Sequence, residues 1–367
     1  MSSDLIYHMP HKRLWNPGPT EVPEDLLLAQ TKPMIGHREP EFTALYGSIL
    51  EKLEKFFEIT NYHTYVHTAS GSIWMDITAR NLIKNKALSA TCGSFSERMY
   101  ETIKSCDKPV DQLAIDWGKA IKPEAVMEAL SKDNYDCLTV VHNETSTGVR
   151  NPTQDIGEAV KKEHPDMMYV IDAVSSLGGD FILPEKHKAD IIFASTQKAF
   201  SLPPGLSIAF ISKEAVEKAK TITGRGQYTD LVDLVKYGST RKQTPSTPAI
   251  SLLYALDLQL DKMLNEGHKN IAKRHEDMAV YTRKWVEKHG MKMFPEAGYE
   301  SITVSTIENA LGKSVDGLNK ELEPRNLYIS NGYSQLKEKT FRIGHMGIWT
   351  VNDLKELLWH IEEIWDL

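Results

Sequence analysis

Short apolar runs recur along the chain, and stretches with apolar residues three and four positions apart lie between them. The runs are of strand length: Ala87–Cys92, Cys137–Val141, Tyr169–Asp172, Asp190–Ser195 and Gly205–Ile211, preceded by a β-rich segment over 62–68. Nearly continuous hydrophobicity is the pattern of strands buried on both faces. Phe42, Leu45, Ile49, Leu50, Leu53 and Phe57 recur at helical spacing and predict an amphipathic helix over 41–57. Further helices are predicted over 73–83, after Ser96, and over 156–162. Strands alternating with helices predict an α/β domain whose mostly parallel sheet is flanked by helices.

Beyond residue 211 the pattern changes. Arg225–Thr247 is polar and turn-rich and reads as a long excursion. A long helix is predicted over 249–265, then a second over 276–289, strands near 301–305 and 340–343, and a last helix over 351–365. The chain therefore divides into an N-terminal arm (1–20), a large domain (21–264) and a smaller α+β domain (265–367). The segment Leu14–Pro23 is dense in Pro and Gly, so it is expected to be extended and to cross the surface of the large domain. Gly36-His-Arg-Glu-Pro40 is a second such loop.

Composition narrows the function classes. The 367 residues carry a net charge of −7, which gives no reason to expect nucleic acid or an anionic membrane as partner. Cys92, Cys106 and Cys137 are odd in number and form no C-x-x-C pair, which argues against a disulfide framework. No apolar stretch of signal-peptide or membrane-span length is present, so a cytoplasmic protein is expected. No metal is expected.

Candidate chemistry sits where the apolar runs end. Asp172 closes one run, and Lys198 follows the next. A buried ion pair tying two strands together would explain both. So would a pyridoxal phosphate site, in which Lys forms a Schiff base and Asp pairs with the pyridinium nitrogen. Ala69-Ser-Gly-Ser72 between a strand and a helix leaves backbone N–H groups free for a phosphate, or is simply a helix cap. Ser70, Phe95, Thr145, Asp172 and Lys198 all fall at or just past strand ends, where open α/β sheets bind ligands.

Eight segments in order carry a resemblance that spans nearly the whole chain. They are Asn16-Pro-Gly-Pro-Thr, Gly36-His-Arg, Ala69-Ser-Gly-Ser, His142-Asn-Glu-Thr-Ser-Thr-Gly, Asp172-Ala-Val-Ser-Ser-Leu-Gly-Gly, Ser195-Thr-Gln-Lys-Ala-Phe, Thr244-Pro-Ser-Thr-Pro and Phe341-Arg-Ile-Gly. The chain resembles the class V aminotransferases of pyridoxal phosphate fold type I, the group with alanine–glyoxylate, serine–pyruvate and phosphoserine aminotransferases. Its His142–Gly148 and Arg342-Ile-Gly-His-Met-Gly are similar to those of the broad aminotransferases of methanogenic archaea.

The resemblance implies a role for each matched residue. Lys198 carries the Schiff base and shuttles the proton, and Asp172 keeps the ring nitrogen protonated. Phe95 stacks on the ring where the alanine–glyoxylate branch has Trp, and Thr145 bonds the phenolic oxygen. Ser70, Gly71, Ser72 and Gln197 hold the phosphate. Thr247 reaches the neighbouring subunit's phosphate, which implies a homodimer. Arg342 clamps the substrate carboxylate, and His37 and Arg38 stand where the phosphoserine branch meets its substrate's phosphate.

Three rival functions lack what they need. A desulfurase needs a late cysteine, and none follows Cys137. A catalytically silent cofactor-binding scaffold has no need of Arg342. A Rossmann dehydrogenase needs a G-x-G-x-x-G after a strand, and none occurs. Trp349 is expected to crowd the pocket beside Arg342. That favours a small donor, alanine or serine, passing its amino group to glyoxylate or pyruvate. The alternative donors are phosphoserine, aspartate or glutamate, with Arg38 as a second anion clamp.

Overall fold

The structure is a computed structural model and describes residues 11–367. The central sheet has seven strands: β1 (His63–His67), β2 (Ala87–Thr91), β3 (Val110–Ala114), β4 (Cys137–Val141), β5 (Met168–Asp172), β6 (Ile191–Ser195) and β7 (Ser207–Ile211). They lie in the order β1-β7-β6-β5-β4-β2-β3. Only β7 runs antiparallel to its neighbours. The pairs β2–β3, β2–β4, β4–β5 and β5–β6 are parallel. This is the helix-flanked, largely parallel α/β sheet that the apolar runs predict.

Burial on both faces explains why the runs are unbroken. Tyr169 and Ile171 of β5 pack with Ile192 and Ala194 of β6 in one apolar cluster. Met168 and Val170 pack on the opposite face with Ile191 and Phe193. The two-residue period of a strand produces that split. Asp172 and Ser195 continue the second face, which the helix Ile73–Leu82 covers with Trp74, Met75 and Ile77. The alternation that builds the core thus brings the last residues of β5 and β6 to the start of that helix.

Strand β3 is invisible in the apolar pattern. Val110-Asp-Gln-Leu-Ala114 is a half-exposed edge strand, and edges tolerate polar residues. The excursion over 225–247 is partly helical. Asp230 caps Leu231–Val235 by accepting from the N–H groups of Val232 and Asp233, and a π-helical turn, Lys236–Arg241, follows. The second long helix begins at His268, earlier than its apolar spacing indicates, and the strand expected near 301–305 occupies Val304–Glu308.

The smaller sheet corrects two expectations. Its order is Arg13–Trp15, Leu327–Asn331, Thr340–Gly344, Val304–Glu308, Lys292–Met293. The start of the arm therefore belongs to the smaller sheet, and only the residues after it run against the large domain, where Pro17 accepts from Lys198 and Thr20 donates to the Gln197 and Lys198 carbonyls. Arg13–Trp15 pairs parallel with Leu327–Ile329, and Trp15 is fully buried. The indole of Trp15 stacks on Trp349 with ring centres 4.4 Å apart, and Trp349 donates from Nε1 to the Leu14 carbonyl at 3.2 Å. Such a stacked pair adds about 0.5–1.5 kcal/mol beyond the area it buries. Trp349 is committed to this packing and does not crowd the cleft described below. Residues 1–10 of the expected arm lie outside the described residues. Among the described residues no helix is long and apolar enough to cross a membrane.

Candidate active site

Strand β1 is antiparallel to β7 and so runs the same way as β2, β4, β5 and β6. Their carboxyl ends share one edge of the sheet, and a cleft of about 780 Å³ opens there. Ser70, Gly71, Ser72, Phe95, Thr145, Asp172, Gln197 and Lys198 all line it. The ion-pair explanation of Asp172 and Lys198 fails. Lys198 donates from Nζ to the carbonyl of Pro17 on the N-terminal arm. Asp172 accepts from the Val174 N–H at 2.9 Å.

Each group is therefore held in the protonation state its surroundings dictate. Burial is the main cause for Asp172, whose pKa is pushed up to about 7; the Val174 N–H opposes the rise and the charge on Glu144 adds to it. Burial also dominates at Lys198, whose pKa falls to about 8, and the guanidinium of Arg342 lowers it further while Asp172 pulls it up. An amine titrating near 8 is largely available as a nucleophile in mildly basic solution.

The helix Ile73–Leu82 presents its N-terminus to the same cleft. Ser70 and Ser72 are exposed, and the N–H groups of Ser70, Gly71 and Ser72 have no acceptor among the described residues. A side chain at Gly71 would fill this cradle, since a Cβ there would lie 2.7 Å from both Ser195 Oγ and Val174 Cγ2. Three buried polar atoms of cleft residues also lack partners: Ser195 Oγ, Gln197 Oε1 and Asn143 Oδ1. Buried polar groups rarely stay unpaired, so three at one place mark a site built around a polar guest. A helix N-terminus for phosphate, a carboxylate for a ring cation and a neutral lysine for an aldehyde together fit a phosphorylated pyridine aldehyde.

Glu144, which the motif contains but whose role the sequence did not reveal, fixes Phe95. It is fully buried and accepts from the N–H groups of Phe95 at 3.2 Å and Ser96 at 2.9 Å, and from the Ser96 hydroxyl at 2.8 Å. These bonds satisfy the open end of the helix Ser94–Ser105 and set Phe95 on the cleft wall. Ser175 was also missed. Its hydroxyl accepts from Thr145 Oγ1 at 2.8 Å and from Asn143 Nδ2 at 2.7 Å, so it locks the 143–145 turn. The signal for Glu144 is the polar density of His142–Gly148, too high for a plain connection, and Ser175 has only its place in the Asp172–Gly179 segment.

Arg342 lies on the buried strand Thr340–Gly344. It donates to the backbone carbonyls of Thr145 and Asn331, each at 3.2 Å, and stands 5.3 Å from the centre of the Tyr333 ring. Burial lowers its pKa to about 10, and its described partners include no carboxylate. A buried guanidinium without an anion is poised to receive one.

Thr247, His37 and Arg38 do not enter this cleft. Arg38 donates to the carbonyls of Thr244 at 2.6 Å and Pro245 at 2.8 Å, which ties its guanidinium to that loop. Thr247 is exposed and lies 3.5 Å from His37 Nε2, on the wall of a separate pocket.

The family model for aminotransferase class-V matches residues 24–318. The chain is a class V aminotransferase. An uncharacterized aminotransferase of Methanocaldococcus jannaschii is 41% identical over 92% of this chain and 88% of its own. The serine–glyoxylate aminotransferase of Methylorubrum extorquens is 34% identical over 94% of this chain and 87% of its own. The crystal structure of alanine–glyoxylate aminotransferase from Nostoc superposes with a TM-score of 0.91 at 26% identity, covering 97% of this chain and 96% of that one. This class V aminotransferase is thus a transaminase that passes an amino group to a 2-oxo acid, and members of its class depend on pyridoxal phosphate.

Proposed function

We propose that this transaminase holds pyridoxal phosphate in the β1–β6 cleft through Lys198 and moves the amino group of alanine or serine to glyoxylate or pyruvate. The observation that carries the reading is that Lys198 and Asp172 share one buried cleft, where Lys198 turns to the Pro17 carbonyl and Asp172 to the Val174 N–H. The names of the serine–glyoxylate and alanine–glyoxylate relatives support the choice of substrates. When bound, the cofactor supplies an electron sink for the carbanion at the substrate's Cα.

The chain's own residues do the rest. Lys198 Nζ would accept the Cα proton and return it one atom away, as a base whose pKa of about 8 sits near neutrality. Asp172 would hold the ring nitrogen in its protonated form. Arg342 would orient the α-carboxylate, and Phe95 would cover one face of the ring. Gln197 and the Ser70–Ser72 turn would anchor the phosphate.

The reading also makes the enzyme a homodimer, in which Thr247, His37 and Arg38 complete the partner's cleft; their placement outside their own cleft supports this. Residues 21–264 form the cofactor-binding unit and 265–367 the smaller one, with Arg13–Trp15 of the arm joining the latter's sheet. The membership of the two sheets supports that division.

The deciding experiment is a half-reaction screen. Alanine or serine added to the yellow, cofactor-loaded protein should bleach the visible band and yield the 2-oxo acid. Absence of bleaching with both sinks the small-donor reading. A preference of about 100-fold for glutamate or phosphoserine over both, or about 2.7 kcal/mol at the transition state, would do so as well.

Three further outcomes are expected. Arg342→Lys keeps a charge but loses the two-pronged geometry, so the protein should stay yellow while the apparent KM for amino acids rises about 100-fold. Unchanged KM values would remove Arg342 from the site. In the cofactor-free protein, the rate of pyridoxal phosphate capture should rise about tenfold per pH unit below 8 and level off above it, because only the neutral amine attacks an aldehyde. Stopped-flow absorbance across pH 6–10 reads this, and a midpoint near 10.5 would mean that burial does not tune Lys198. Dilution below the dimer dissociation constant should remove activity in step with dimer, as followed by sedimentation.

A further inference from the structure

A second cavity lies behind the cofactor cleft. It measures about 610 Å³, and His142, Arg150, Gln154, Phe181, His187 and Tyr299 are in its wall. His142 and Asn143 are consecutive, yet Asn143 lines the cofactor cleft and His142 lines this cavity. The backbone N–H of His142 donates to the Asp172 carbonyl at 2.8 Å, so the two spaces share one strand end. The proposed transamination uses none of the six side chains.

Two imidazoles in this wall each have a nitrogen without a partner. His142 and His187 are only 4% and 7% exposed, with ring centres 5.9 Å apart. Nδ1 of His142 is 2.9 Å from Ser176 Oγ, and Nδ1 of His187 is 2.9 Å from Thr153 Oγ1, which leaves each Nε2 to the cavity that both rings line. Neither Nε2 has a hydrogen-bond partner among the described residues, and that of His142 stops 3.9 Å short of Asp180. The Thr153 side chain has no other described bond. Its hydroxyl can therefore donate to Nδ1 of His187 and leave the ring's own proton on Nε2. Buried polar groups rarely stay unpaired, so two such atoms at one cavity call for a ligand.

The field at this place is positive. The helix Thr153–Glu163 begins here without a side-chain cap, and the N–H groups of Gln154 and Asp155 have no acceptor among the described residues. The buried Asp180 carboxylate is already answered by Arg150, at 2.7 and 3.1 Å. Burial keeps both imidazoles neutral, and the charge of Arg150 reinforces this. The same charges repel a cation, and among the described residues no group of three His, Cys, Asp or Glu could hold a metal ion. Phe181, 36% exposed, and Tyr299 add aromatic surface to the wall.

We propose that this cavity is a second ligand site, which takes the phosphate group of a small molecule. The N–H groups of Gln154 and Asp155 and Nε2–H of His187 donate to its oxygens, and any organic part lies against Phe181 and Tyr299. A tetrahedral dianion offers oxygens to several converging donors at once, and a helix N-terminus favours its charge.

The test is calorimetry on the cofactor-loaded enzyme, so that the Ser70–Ser72 turn is already taken, with inorganic phosphate, phenyl phosphate and benzoate as probes. One phosphate per chain should bind with a Kd of about 1 mM or tighter. Gln154→Glu puts a like charge at the site on an exposed first-turn position that tolerates an acid, and should weaken binding about tenfold. Gln154→Lys should tighten it a few-fold. His187→Phe keeps the ring's shape without its N–H and should weaken binding about tenfold. Phenyl phosphate binding more tightly than inorganic phosphate assigns an ester, and equal affinity assigns the free ion. Absence of saturable phosphate binding overturns the proposal, as does an affinity that the two Gln154 variants leave unchanged. Benzoate bound as tightly as phenyl phosphate overturns the choice of phosphate.

Discussion

Lys198→Ala should give a folded protein that is colourless after incubation with pyridoxal phosphate and at least about 10⁴-fold less active in transamination. The substitution removes both the covalent anchor and the base that carries the proton. It also frees the Pro17 carbonyl, which accepts from Lys198 Nζ. Lys198→Arg should be equally inactive, since a guanidinium stays protonated at any working pH and cannot attack an aldehyde. Borohydride reduction of the loaded wild type followed by peptide mapping gives an independent reading. A modified lysine other than Lys198 would refute the site.

Asp172→Asn should keep the cofactor and lose about 10²–10³-fold in turnover. The amide oxygen can still accept from the Val174 N–H, so the local fold is retained. What disappears is the anion that keeps the ring nitrogen protonated, and without it the electron sink is poorer. The raised pKa of Asp172 comes from its burial, which the Val174 N–H and the charges of Lys198 and Arg98 offset only in part. A bound ring cation should restore ionisation, so the loaded enzyme should not lose activity as pH falls from 8 to 7 through this group. A near-normal rate in Asp172→Asn would make the residue purely structural.

The sequence is most legible where burial is complete or strictly periodic. The Cys137–Val141 strand and the helix Val351–Trp365 coincide with their predicted limits, because apolar residues there have one explanation. Burial of both faces leaves little room for polar residues, so Asp172 and Lys198 stand out at strand ends. What stays hidden depends on partners far away in the chain. Nothing near Trp15 announces Trp349, and nothing near Glu144 announces the N–H groups of Phe95 and Ser96.

The strand Arg13–Trp15 has a consequence for how the molecule is made. Its partners in the smaller sheet, Leu327–Ile329, lie 314 positions downstream (327 − 13). During synthesis the large unit has all seven of its sheet strands by residue 211, whereas the smaller sheet waits for its closing strands near the end of the chain. Arg13–Trp15 therefore leaves the ribosome long before the strand it pairs with. Until then Trp15 has no Trp349 to cover, and closing so long a loop carries an entropy cost that only prior folding of the intervening residues reduces. A fragment starting at residue 265 would lack this edge strand and leave the indole of Trp349 uncovered, so the smaller unit depends on the chain's beginning as much as on its end.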